Sequence, residues 1–200
     1  MPYRNRVNPF SQIEIHSARG LFTGNRGIIH RDGEIVHPYG KTTLWLVCLL
    51  EFNNRKRPIM ENGQWMPLFF LDEVTAFAAG HRTCAECRRA DYRRFKAAWM
   101  AAFGENPDAM TINRRLHGER MPIIRGDRPL VRPADLPDGA MFTLGGLAYA
   151  KSHDAALLWD HAGYGAPMPL PDQAELLTCP TLVEIFRAGY EPVWHPSANR

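Results

Sequence analysis

The longest continuous apolar run, Leu44 to Leu50, is bounded by Thr42-Thr43 and by Glu51. Its length and its aliphatic and aromatic content predict a β-strand buried on both faces, with Cys48 inside the fold. Trp65 to Leu71 predicts another strand, and the polar stretch Asn53 to Pro58 between the two predicts a turn, the candidate tip of a hairpin. Upstream, Gly20, Gly24, Gly27, Gly33 and Gly40 interrupt short apolar pieces, so residues 1–43 read as short strands and tight loops. A strand over residues 12–16 would put Glu14 and His16 on one face.

After Leu71 the apolar period lengthens. Asp72 to Gly80 predicts a short helix, with Asp72 as N-cap, Glu73 at the positive end and Gly80 as the stop. Tyr92, Phe95, Trp99 and Phe103 recur at spacings of three and four, which predicts a longer helix over residues 90–103 with one apolar stripe. Residues 105–137 carry a weaker pattern: a short helix from Asp108 to Leu116, then a Pro- and Arg-rich extended stretch, together read as a connecting segment. From Asp138 onward, short apolar pieces alternate with turns at Gly145-Gly146 and Ser152-His153-Asp154, which predicts a β-meander. A closing helix follows from Thr181 to Ala188. The expected fold is α+β: a module over residues 1–104, a connection over 105–137 and a β-rich subdomain over 138–200.

With 200 residues and 45% hydrophobic content the chain can bury a core without help from a metal. No apolar run approaches the roughly 20 residues of a membrane span, and no apolar stretch follows the basic N-terminus. A cytoplasmic location is expected, where four cysteines read as thiols or metal ligands. The formal charge of +3 hides an asymmetry: residues 1–132 carry +8 and residues 133–200 carry −5. A polyanionic partner is therefore expected on the first two-thirds.

Cys84-Ala85-Glu86-Cys87 places two thiols on one turn, close enough to hold a single tetrahedral ion. A thioredoxin-like redox role would need a strand before the motif and a βαβ context, and the sequence pattern predicts neither. Phe69-Phe70-Leu71-Asp72-Glu73, Ala76, and Ala78-Ala79-Gly80-His81-Arg82-Thr83-Cys84-Ala85-Glu86-Cys87-Arg88 together resemble the Ada-type metal-binding domain. Gly24-Asn25-Arg26-Gly27-Ile28-Ile29-His30 is similar to that family's first ligand region, with His30 at the first ligand position and Glu34 where a cysteine is expected. The resemblance covers about residues 20–90. It implies structural zinc and contact with DNA, in a setting of DNA repair or modification. Methyl acceptance is not carried over, because His30 stands at the acceptor position. Cys48 is the substitute for the missing cysteine, which makes the expected zinc set His30, Cys48, Cys84 and Cys87; His37, His81 and Cys179 are the other candidates.

Candidate nucleic-acid contacts are Arg19, Asn25 and Arg26 in the glycine-rich loop, and Arg88, Arg89 and Arg93 on the basic helix with Arg94 and Lys96. Tight turns and a solvated, locally paired helix face are the alternatives. Two imidazole–carboxylate pairs offer acid/base chemistry to a nuclease or glycosylase, His117 with Glu119 and Glu14 with His16. A zinc-stapled scaffold for a protein partner is the third expectation.

Overall fold

The computed structural model describes residues 2–54 and 61–199. The first half forms β1 (Arg4–Val7), β2 (Ile13–Ile15), β3 (Phe22–Asn25), the small hairpin β4 (His30–Arg31) and β5 (Glu34–Ile35), then β6 (Leu46–Leu49), β7 (Leu68–Phe70), helix α1 (Glu73–Ala78) and β8 (Arg82–Thr83). Two further helices follow, α2 (Arg89–Phe103) and α3 (Ala109–Ile124). The second half holds β9 (Leu130–Val131), β10 (Met141–Leu144), β11 (Leu147–Ser152), β12 (Ala155–Asp160), β13 (Gly163–Pro169), β14 (Ala174–Leu176) and α4 (Pro180–Arg187). The architecture is α+β. No helix among the described residues is long and apolar enough to cross a membrane.

One six-stranded sheet runs in the order β2-β1-β7-β3-β6-β8, and a second in the order β13-β12-β11-β10-β14-β9. Only residues 46–49 of the long apolar run pair as a strand; β6 lies between β3 and β8, and Val47 and Cys48 are both buried. The expected hairpin between β6 and β7 does not form, because β3 sits between them and pairs antiparallel with each. Most of its anticipated tip lies in residues 55–60, outside the described residues.

Helix α1 forms as its cap residue dictates: the Asp72 carboxylate accepts the Thr75 N–H at 2.8 Å. Gly80 then takes a left-handed φ of +79°, and a Cβ there would lie 2.6 Å from the Arg120 side chain, so both backbone and packing require glycine. In α2, Phe95 and Trp99 are fully buried, with Tyr92 and Phe103 packed beside them.

The segment 105–137, expected as a connection, contains the 16-residue helix α3, capped by Asp108. Its buried positions include Ile112, Leu116, Arg120 and Ile123. An arginine at the third position of this inward stripe, and Pro122 in the last turn, disguise the helical period. Arg120 is buried because its guanidinium lies 3.8 Å from the centre of the Trp45 ring and donates to the Gly80 and Thr43 carbonyls, each at 2.9 Å.

The cores cross both expected boundaries. Phe77, Trp99, Leu116, Leu182 and Phe186 share one cluster, while Leu71 and Val74 share another with Met141 and Leu157. Two adjacent buried carboxylates reinforce the seam. Asp72 accepts the Tyr164 hydroxyl at 2.8 Å and the His195 N–H at 3.0 Å; Glu73 accepts the Tyr190 hydroxyl at 2.9 Å and the Val193 N–H at 3.0 Å.

Candidate metal centre

Sheet register brings the first two sulfurs together. In the parallel pair β6–β8, Leu46 lies beside Arg82 and Val47 beside Thr83, so the next step sets Cys48 beside Cys84, and the Cys84 N–H donates to the Val47 carbonyl at 3.0 Å. A turn closed by the Arg88 N–H on the Cys84 carbonyl at 3.3 Å returns Cys87 to the same place. The Sγ atoms of Cys48, Cys84 and Cys87 all lie within 4.8 Å of one another. Around a tetrahedral ion with Zn–S bonds of about 2.3 Å, sulfurs stand about 3.8 Å apart, so only a small inward adjustment is needed. This group could hold a metal ion.

The electrostatics favour thiolate at the centre of the group. Hydrogen bonds from Cys48 and Cys87, with the backbone N–H groups of Cys87 and Glu86 aimed at the same sulfur, hold the Cys84 thiol far below its usual range. Cys48, donating to Cys84, is pushed far up. The protons that three crowded thiols share in this way are what a cation displaces when it binds the sulfurs. Arg82, buried beside Cys84 and Cys48, adds positive charge, its Nε held by Asn113 Oδ1 at 2.7 Å.

The expected fourth ligand is not in the group. β3 runs antiparallel to β6, with Thr23 opposite Cys48 and Asn25 opposite Leu46. The chain beyond Asn25 therefore leaves the sheet at the end away from Cys48, and carries His30 with it. There the His30 Nε2 meets the Glu61 carbonyl at 3.1 Å, and His30 and His37 line a separate pocket of ≈ 520 Å³. His81 is buried between Trp45 and Phe70, with Arg26 Nε 3.4 Å from its Nε2. Cys179 sits in the helical core, its thiol pushed up to about 12 by burial.

Two of the candidate nucleic-acid contacts, Arg26 and Arg88, are interior residues. Arg26 is fully buried with its guanidinium 3.9 Å from the Trp45 ring centre, and it donates to the Ser11 carbonyl at 2.8 Å; burial and the Arg120 charge lower its pKa to about 9. Arg88 is buried in an ion pair with Glu73 at 2.5 Å. The Asn25 side chain accepts the Gly27 N–H at 3.3 Å. Arg19, Arg89 and Arg93 are exposed.

Of the two acid/base pairs, His117 and Glu119 separate. Two residues apart on a helix they diverge, His117 accepting from Arg120 at 2.9 Å and Glu119 capping α4 through the Thr181 N–H at 2.9 Å. Burial and the charges of Arg120 and Arg125 lower the His117 pKa. Glu14 and His16 do meet, but through His161: Glu14 Oε2 lies 2.5 Å from His161 Nε2, and the two imidazoles stack at 4.8 Å. His161 lies 147 residues beyond Glu14. Nothing local in the sequence marks it, nor does anything local mark Arg82 or Glu73 as supports of the cysteine turn.

Family models, curated proteins and solved structures provide no match to this chain.

Proposed function

We propose that this chain is a zinc-stabilised nucleic-acid-binding protein of Ada type, with DNA in repair or modification as its partner. The observation that carries the reading is the junction between the sulfur group and α2. Cys87 stands two residues before the helix, so an ion bound there pins the helix start to the first sheet. Arg89, Arg93 and Lys96 recur at spacings of four and three along α2, the first two exposed and the third half-buried. One stripe of cations on a pinned helix suits phosphate anchoring, which supplies affinity without reading sequence. The donor set supports zinc: thiolates on a tight turn and an adjacent strand are its preferred surroundings, and the ion would act as a cross-link between β6 and α2.

Duplex and single-stranded DNA at low salt should bind, with affinity falling as salt rises. The triple variant Arg89→Glu, Arg93→Glu, Lys96→Glu should weaken binding. It should also flatten the salt dependence by about 0.9 in the log–log slope for each duplex phosphate that the helix no longer neutralises. A gel-shift or anisotropy titration checks this. Unchanged binding in the triple variant, or no binding by the wild type at low salt, would sink the proposal.

A further inference from the structure

We infer that a metal held by Cys48, Cys84 and Cys87 completes its coordination with a small donor from solution, of water, imidazole or thiol type, and not with a fourth residue of this chain. The inference rests on the zinc reading above and changes its chemistry, since a structural zinc site is ordinarily closed by four protein ligands. Among the described residues, no fourth His, Cys, Asp or Glu joins the sulfur group. Residues 55–60 read Arg-Lys-Arg-Pro-Ile-Met and offer none of those four types.

The histidines that might have closed the site are engaged elsewhere by the fold. His30 is carried to the opposite end of β6 by the direction of β3 and fixed on the Glu61 carbonyl. His81 is fully buried between two aromatic rings beside Arg26. Moving either to the sulfurs would require the first sheet to be rebuilt.

Access is one-sided. Cys48 and Cys84 are 4% and 5% exposed, whereas Cys87 is half-buried and Ala85 and Glu86 on the same turn are exposed. The coordination position that the three sulfurs leave over is therefore reached from the Cys87 side. Three thiolates on a divalent ion leave one net negative charge, so a neutral donor is accepted readily; a thiolate gains from the buried guanidinium of Arg82 beside Cys84 and Cys48.

Cobalt(II) in place of zinc makes the coordination sphere visible. The cobalt-loaded protein should show sulfur-to-metal charge-transfer bands and tetrahedral ligand-field bands. The ligand-field bands should shift in a saturable way on titration with imidazole. Before imidazole is added, the spectra of His30→Ala and Glu86→Gln should match the wild type. Ligand-field bands that ignore imidazole, or that already differ in either variant, overturn the open position while leaving the metal in place. Failure of the protein to bind cobalt or zinc at all overturns the metal reading itself.

Discussion

Single side chains carry unusual electrostatic weight in this protein. Arg88 and Glu73 are 1% and 0% exposed and form a buried ion pair. Removing the Glu73 charge leaves Arg88 with the half-buried Asp91, 2.9 Å away, as its remaining partner, so the cost is about 3 kcal/mol, the low end for a broken buried pair. Glu73→Gln should therefore lower stability by about that amount in denaturant titrations, and it should loosen the Cys84–Cys87 turn that Arg88 follows. His81 gives the chain a pH dependence. Burial, followed by the charges of Arg26 and Arg120, holds its pKa well below the ordinary 6.5. A base whose folded pKa is depressed contributes stability that is present above the unfolded pKa and lost as pH falls through the folded one. Denaturant midpoints should therefore fall as pH drops below about 6.5, and the fall should be shallower in His81→Gln. Equal slopes in the two proteins would remove His81 as the cause.

At the scale of elements, the sequence is readable where one residue type does one job. Asp72 caps α1, Gly80 and Gly104 take the left-handed conformation at helix ends, and the aromatic spacing of α2 marks its buried face. Legibility ends where a polar residue occupies an inward position. The short helix expected from Asp108 to Leu116 runs on to Ile124, and Arg120 conceals that second half, because it is buried against an aromatic ring that no local pattern could supply. The expected zinc quartet breaks for a different reason. His30 is close to β3 in sequence, but strand direction, which only the sheet order β7-β3-β6 reveals, points the chain away from Cys48. Helix α4 illustrates help between elements: Cys179 provides no side-chain cap, and Glu119 from α3 accepts the Thr181 N–H instead. Glu119→Ala should cost about 1 kcal/mol of stability, as loss of a helix cap does, while leaving nucleic-acid affinity unchanged. A large change in affinity would restore Glu119 to the binding surface.

Across the whole molecule, the β-rich second half is fastened to the first by shared apolar clusters and by Asp72 and Glu73, whose partners in the second half are Tyr164, Tyr190, Val193 and His195. The basic helix, the cysteine turn and the acidic second half consequently form one packed structure, in which the sulfur group ties β6 to the start of α2. The charge asymmetry survives folding only in part. Arg26, Arg82, Arg88 and Arg120 are interior, so the positive surface is smaller than the sequence count implies. Helix α2 is held by the burial of Phe95 and Trp99 and by the Arg88–Glu73 pair, and a metal in the sulfur group would add a further tie at its start. Metal analysis of protein purified under reducing conditions, with and without the substitution Cys84→Ser, tests this most directly. The expected result is one zinc ion per chain in the wild type, near-complete loss in the variant and a lower unfolding midpoint on removing the metal with a chelator. A wild-type protein without stoichiometric metal, or a Cys84→Ser variant that keeps it, would contradict a metal tie at the helix start.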